Sequence, residues 1–194
     1  MRLGVLIKVL LTLALGAALG LGATWAAVWH GAAFGGVVAG PWRAWPRAGA
    51  RDRDPYAAAV LARTGEIPLD LAEGLVFYAE TDSDDRALTA ACVYRLRGPT
   101  PPARFWTLTA TGADGHLIEN PAGRYGFTSS EVLRDESGAF EIVLSSRARP
   151  GVWLPAPAGE TFRLVLRLYD TPVAASAGAL GPADMPAVIR ESCA

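Results

Sequence analysis

Asn120 is the only asparagine in a chain of 194 residues that contains no glutamine. In a composition that avoids amides, one retained amide points to a specific hydrogen bond. Arg124 and Tyr125 follow it closely. An amide, a guanidinium and a phenol can together bind a sugar hydroxyl or a carboxylate, with Trp106 and Trp153 as aromatic platforms. A plainer assignment comes first. Asparagine before proline closes a turn by bonding its own backbone, and large aromatics anchor cores. Ligand binding by Asn120, Arg124, Tyr125 and Trp106 stands as the second reading.

Other chemistry is poorly supplied. Of 18 basic residues the one lysine, Lys8, lies in the N-terminal apolar tract, so a phosphate-cradling or Schiff-base lysine is missing from the rest of the chain. No Gly-x-Ser-x-Gly elbow occurs, and a serine triad could use only His30 or His116. His30 marks the end of the apolar tract, and His116 follows Asp114-Gly115 in a hairpin turn. Neither has a ligand-type neighbour at metal spacing, so no metal and no cofactor are expected. Asp82-Ser83-Asp84-Asp85 begins like a calcium loop, but Arg86 takes the fifth position; it reads as a polar turn. Glu119, Glu131, Asp135, Glu136 and Glu141 all fall in the β region, and their spacing selects no pair for glycoside chemistry. No catalytic residue is assigned, and a non-enzyme is favoured. A net charge of -1 leaves no electrostatic footprint for nucleic acid.

Cys92 and Cys193 are the only cysteines. In an exported domain such a pair invites one disulfide, which would tie the C-terminal tail to a strand. The alternative is two unrelated thiols, one buried and one in a frayed end.

The elements that hold these residues start with an anchor. Residues 9–28 carry no charge and as a helix rise roughly 30 Å, enough to cross the hydrocarbon core. Arg2 and Lys8 flank one end, and Trp25 and Trp29 suit the interface at the other. An uncleaved anchor over 1–30 is preferred to a signal peptide cut after Thr24-Trp25-Ala26, because apolar character continues through Phe34 to Ala39. Arg43, Arg47, Arg51 and Arg53 compete with the N-terminal flank in a positive-inside count. The compact basic flank and the cysteines favour the N-terminus inside. Gly16-Ala17-Ala18-Leu19-Gly20 fits the small-residue spacing of paired membrane helices.

Residues 31–54 read as a juxtamembrane linker, with Gly40-Pro41-Trp42 and Trp45-Pro46 breaking it. The aromatics there would rest on headgroups or dock on the domain. Asp54-Pro55 then opens a short Ala-rich helix that Gly65 closes. Within the 55–194 domain the period becomes two, and strands are predicted at 75–79, 89–97, 105–111, 140–145 and 161–169. In the last of these Phe162, Leu164, Leu166 and Leu168 share one face, as a half-buried antiparallel strand requires. The expected fold is mainly β: an antiparallel β-sandwich or jelly-roll-like domain after one transmembrane helix.

The chain resembles the bacterial family called domain of unknown function 1214, often found beside or fused to family 1254. The resemblance rests on Phe105-Trp106-Thr107-Leu108, Asp114-Gly115, Glu119-Asn120-Pro121, Arg124-Tyr125 and Trp153-Leu154-Pro155-Ala156-Pro157 with Gly159. It extends to Arg167-Leu168-Tyr169 with Pro172, and to Gly40-Pro41-Trp42, Asp54-Pro55-Tyr56 and the 92–97 strand, which look like the short membrane-anchored members. It implies a jelly-roll-like domain in the cell envelope and a separately encoded family 1254 partner, but no activity. The expectation is a single-pass inner-membrane protein with its C-terminal domain in the periplasm, acting as a binding or assembly module. Its expected partners are membrane lipid through the helix, a family 1254 protein and a glycan. A carbohydrate-active enzyme and a purely structural subunit are the alternatives.

Overall fold

A computed structural model describes residues 2–29, 35–157 and 161–193; His30, Phe34 and Gly159 lie outside them. Helix α1 (Arg2–Trp29) begins the chain. Its stretch Gly4–Trp29 is long and apolar enough to span a membrane, and the protein buries none of its apolar window. The indoles of Trp25 and Trp29 stack at its end, ring centroids 5.6 Å apart. Gly16 and Gly20 face open space.

Helix α2 (Pro55–Thr64) has the caps its sequence specifies. The Asp54 carboxylate accepts from the backbone N–H of Ala57 at 3.0 Å, and Pro55 occupies the first turn, where no N–H is needed. Gly65 ends the helix at φ +68°, a left-handed conformation that glycine adopts without a Cβ clash.

Among the described residues, ten strands form two sheets. The larger contains β1 (Val37–Ala39), β2 (Trp42–Ala44), β3 (Gly74–Ala79), β5 (Phe105–Gly112), β6 (Gly126–Thr128) and β9 (Phe162–Tyr169), ordered β1-β2-β3-β9-β5-β6. The smaller contains β4 (Cys92–Gly98), β7 (Phe140–Ser145), β8 (Trp153–Pro155) and β10 (Ala187–Cys193), ordered β10-β4-β7-β8. Every pairing is antiparallel except β7 with β8. The architecture is a mainly β, sandwich-like domain behind one helix.

Alternation builds the core. Phe162, Leu164, Leu166 and Leu168 of β9 are buried in one cluster with Tyr94, Leu96, Ile142 and Leu144 of the smaller sheet. Tyr94 and Phe162 meet edge to face at 5.8 Å. Each such fully buried side chain contributes about 2 kcal/mol relative to exposure.

All five predicted strands are present, but three features differ from expectation. Residues expected to be linker form the β1–β2 hairpin, which pairs with β3 through Ala44↔Phe77. Trp42 sits fully inside the core, its indole N–H donating to the Pro186 carbonyl at 2.7 Å. The tail up to Cys193, where no strand is predicted, is edge strand β10, paired along β4. Lastly, Val76 and Val165 point away from the core face yet are buried, so the larger sheet is covered on both sides. Over its outer face Trp45 packs on Tyr78, Glu66 bonds Tyr78, and Leu69 shares a cleft with Val76.

Candidate functional site

The Asn120 segment connects β5 to β6. The Asn120 side chain closes it from both ends: its carbonyl oxygen accepts from the Arg124 N–H at 3.2 Å, and its amide donates to the Arg124 carbonyl at 2.9 Å. Gly123, at φ +58°, makes the tight return possible, and its N–H bonds the Asn120 carbonyl. One donor and one acceptor site of the amide are thereby engaged by backbone. The Arg124 guanidinium donates to the Trp153 carbonyl at 3.1 Å and lies over the Phe127 ring, joining this loop to β8. Glu119, Asn120, Pro121 and Tyr125 line a shallow depression of about 420 Å³.

Trp106 does not join them. It is 1% exposed, inside the core against Phe140 at 5.0 Å, and so has no face for a surface ligand. Trp153 is half-buried, with its indole N–H donating to the Ser145 carbonyl. Cys92 and Cys193 are joined by a disulfide that ties β10 to β4.

A larger cleft, about 630 Å³, lies elsewhere, between the end of α1, α2 and the outer face of the larger sheet. Small-molecule sites commonly have this volume. Trp29, Trp45 and Tyr78 supply aromatic walls, and Val60, Leu61 and Leu69 supply apolar ones. Six charged groups line it: Arg43, Arg63 and Arg163 against Glu66, Glu80 and Asp114.

One network organises its floor. The Tyr78 hydroxyl donates to Glu66 Oε1 at 2.5 Å, and Arg163 lies 3.7 Å from Glu66 Oε2. Arg163 also sits over the Tyr78 ring, 5.2 Å from its centroid. Burial, then the neighbouring Glu66 charge and hydrogen bond, push the Tyr78 hydroxyl far above its ordinary pKa, so it stays a proton donor at any physiological pH. Strand register produces the cluster: Arg43 pairs across from Tyr78, and Tyr78 across from Val165. Gly115, at φ +87°, lets the β5 hairpin tip close over Arg163, because a Cβ there would overlap the guanidinium. At the α1 end of the cleft, Arg63 stacks on Trp29 at 5.1 Å.

Of the cleft residues, Pro41 and Asp114 fall in the motifs Gly40-Pro41-Trp42 and Asp114-Gly115 that carry the family resemblance; Glu66, Tyr78 and Arg163 stand in none. The signals were indirect: a tyrosine and an arginine on the polar faces of two strands, and an acid in a loop. His116, read as an exposed turn residue, is exposed and also lines the cleft.

This fold and site define a two-sheet β domain carrying a helix long enough to span a membrane, with a polar and aromatic cleft beside that helix. The chain belongs to the family described as "Protein of unknown function (DUF1214)", which matches residues 73–173. None of the curated proteins matches it. Among solved structures it is similar to the VPA0106 protein from Vibrio parahaemolyticus, with 21% identity and a TM-score of 0.57 over 73% of this chain and 36% of that one. It also matches an uncharacterized protein from Burkholderia cenocepacia at 19% identity and a TM-score of 0.41, covering 62% of this chain and 30% of that one. The chain thus spans about a third of the length of these two structures, and the first supports the fold alone.

Proposed function

We propose that the chain is a binding module of the bacterial envelope, anchored by α1 in the inner membrane with its N-terminus inside and its β domain in the periplasm, and that the cleft beside Trp29 is its binding site. The observation that carries this is the coincidence of a cavity of about 630 Å³ with convergent polar groups and aromatic walls, the combination that fixes and orients small ligands. The Cys92–Cys193 bridge supports an oxidising compartment. The Asn120, Arg124 and Tyr125 depression ranks below the cleft, because its amide and guanidinium already serve the backbone.

A second reading, a carbohydrate-active enzyme, draws support from Glu66, Glu80 and Asp114 lining one cleft, since glycoside chemistry needs two carboxylates about 5–10 Å apart. It is weakened by Glu66, which is engaged by Tyr78 and Arg163.

Two measurements test the proposal. Protease added to intact spheroplasts should remove the β domain; protection until the membrane is lysed would reverse the topology. Full-length protein extracted in gentle detergent from its own membranes should carry a small molecule detectable by mass spectrometry. A stoichiometric protein of family 1254 type with an empty cleft would make the chain a subunit instead.

A further inference from the structure

Resting on the reading of the cleft as a ligand site beside a membrane helix, we infer that its ligand is the headgroup of a zwitterionic phospholipid bearing a primary ammonium. Location comes first. Trp29, the last residue of α1, lines the cleft together with Arg63, which stacks on it. A tryptophan at the end of a membrane helix lies at headgroup depth, so the cleft faces the lipid surface.

Charge decides the class of headgroup. Glu66 and Arg163 form an ion pair at 3.7 Å with Tyr78 as third partner, and Arg163 Nε is buried with no hydrogen-bond partner among the described residues. That leaves two cations, Arg43 and Arg63, and two carboxylates, Glu80 and Asp114, on the lining. Among the described residues no ion pair joins any of these four. A purely anionic headgroup would suit the guanidiniums but bring a like charge to the two carboxylates, which is unfavourable. A phosphate and an ammonium on one headgroup answer both pairs: guanidinium binds phosphate through its planar fork, and an ammonium donates to carboxylate oxygens.

The aromatic walls separate primary from quaternary ammonium. A choline group is normally held on aromatic faces. Here Arg63 occupies a face of Trp29, Arg163 a face of Tyr78, and Trp45 packs against Tyr78. The remaining cation partners are carboxylates, which favour a group with N–H donors over a methylated one.

Native mass spectrometry of the full-length protein in neutral detergent tests this, with equal additions of phosphatidylethanolamine, phosphatidylcholine and phosphatidylglycerol, and separately of soluble glycerophosphoethanolamine. One phosphatidylethanolamine should be retained per chain, at least tenfold more strongly than the other two lipids. The Arg43→Gln/Arg63→Gln and Glu80→Gln/Asp114→Asn double variants should each weaken it at least tenfold. Arg43, Arg63, Glu80 and Asp114 are exposed, and an unchanged melting temperature would show that the variants fold. Equal retention of all three lipids, preference for phosphatidylglycerol, or full retention by both folded variants would overturn the inference. So would binding of soluble glycerophosphoethanolamine as tight as that of the lipid, which would make this a soluble-ester site. Retention in detergent does not depend on which side of the membrane the domain occupies. A failed topology experiment and a failed lipid experiment are therefore separate results.

Discussion

Nε of Arg190 in β10 lies 2.8 Å from the carboxylate of Asp82, which is 1% exposed in the turn after β3. Asp82 also accepts from the backbone N–H groups of Asp84 and Arg86 at 3.0 Å each, and from Arg86 Nε at 3.1 Å. A segment that reads in sequence as a polar turn is thus an ionic pin between the turn and the C-terminal strand. Burial by itself would raise this carboxyl, but the Arg86 and Asp84 N–H bonds and the Arg190 and Arg86 charges outweigh it and hold the pKa below the usual value.

Removing the charge should therefore be costly. Asp82→Asn leaves Arg190 facing a neutral group and should destabilise the protein by about 3 kcal/mol, the scale of a broken buried pair. Urea unfolding in mild detergent would measure it.

The same carboxylate gives a pH dependence. Its pKa is lower folded than unfolded, so its contribution is complete above the unfolded value of about 4 and is lost as pH falls through the folded one. Melting temperature against pH should drop more steeply below about pH 4 for the native protein than for Asp82→Asn. Parallel curves would show that Asp82 is not the responsible group.

Asn120→Ala should loosen one loop and little else. It removes two hydrogen bonds to an exposed Arg124 backbone that water can replace, at a cost of about 1 kcal/mol. Faster amide exchange confined to residues 120–125 is the expected signature. A large global loss would mean that the segment carries the fold.

Cys193→Ser should lower stability by about 5 kcal/mol on the loop-entropy scale, since the bridge spans 101 residues. Alkylation of the native protein without reductant should add no mass. Uptake of two alkyl groups would mean that the thiols are free.

Gly49→Ala tests how the outer layer is seated. A Cβ at this position would overlap the Leu69 carbonyl, and backbone cannot yield as a side-chain tip can. A loss of about 2 kcal/mol is expected. Greater solvent access at Tyr78, read by hydrogen exchange or fluorescence, should accompany it.

The sequence was most legible where a local rule had no competitor. Asp54, Pro55 and Gly65 specify both ends of α2 through capping groups they carry themselves. The strict alternation of Phe162, Leu164, Leu166 and Leu168 admits only one buried face. Legibility fell where elements are short. The three-residue strands β1, β2, β6 and β8 contain too few positions to show a period, and β10 follows three apolar residues with Arg190, Glu191 and Ser192, as an exposed edge allows. The resemblance to family 1214 includes the Asn120 segment, which the structure uses as a clamp; of the cleft it includes Pro41 and Asp114 but none of the Glu66, Tyr78 and Arg163 network.

What the chain determines by itself is therefore local and periodic: a helix apolar on every side, the capped α2, five strand cores and the Asn120 turn. Each follows from spacing within about ten residues, where side-chain direction is fixed by the backbone period. Tertiary structure alone decided that residues 37–44 enter the sheet, that Asp82 is buried beside Arg190, and that Arg43, Glu66, Tyr78 and Arg163 share one cleft. These are meetings between distant segments, set by strand order and register. No local pattern encodes them, because the free energy that selects one register comes from burying both sheets together.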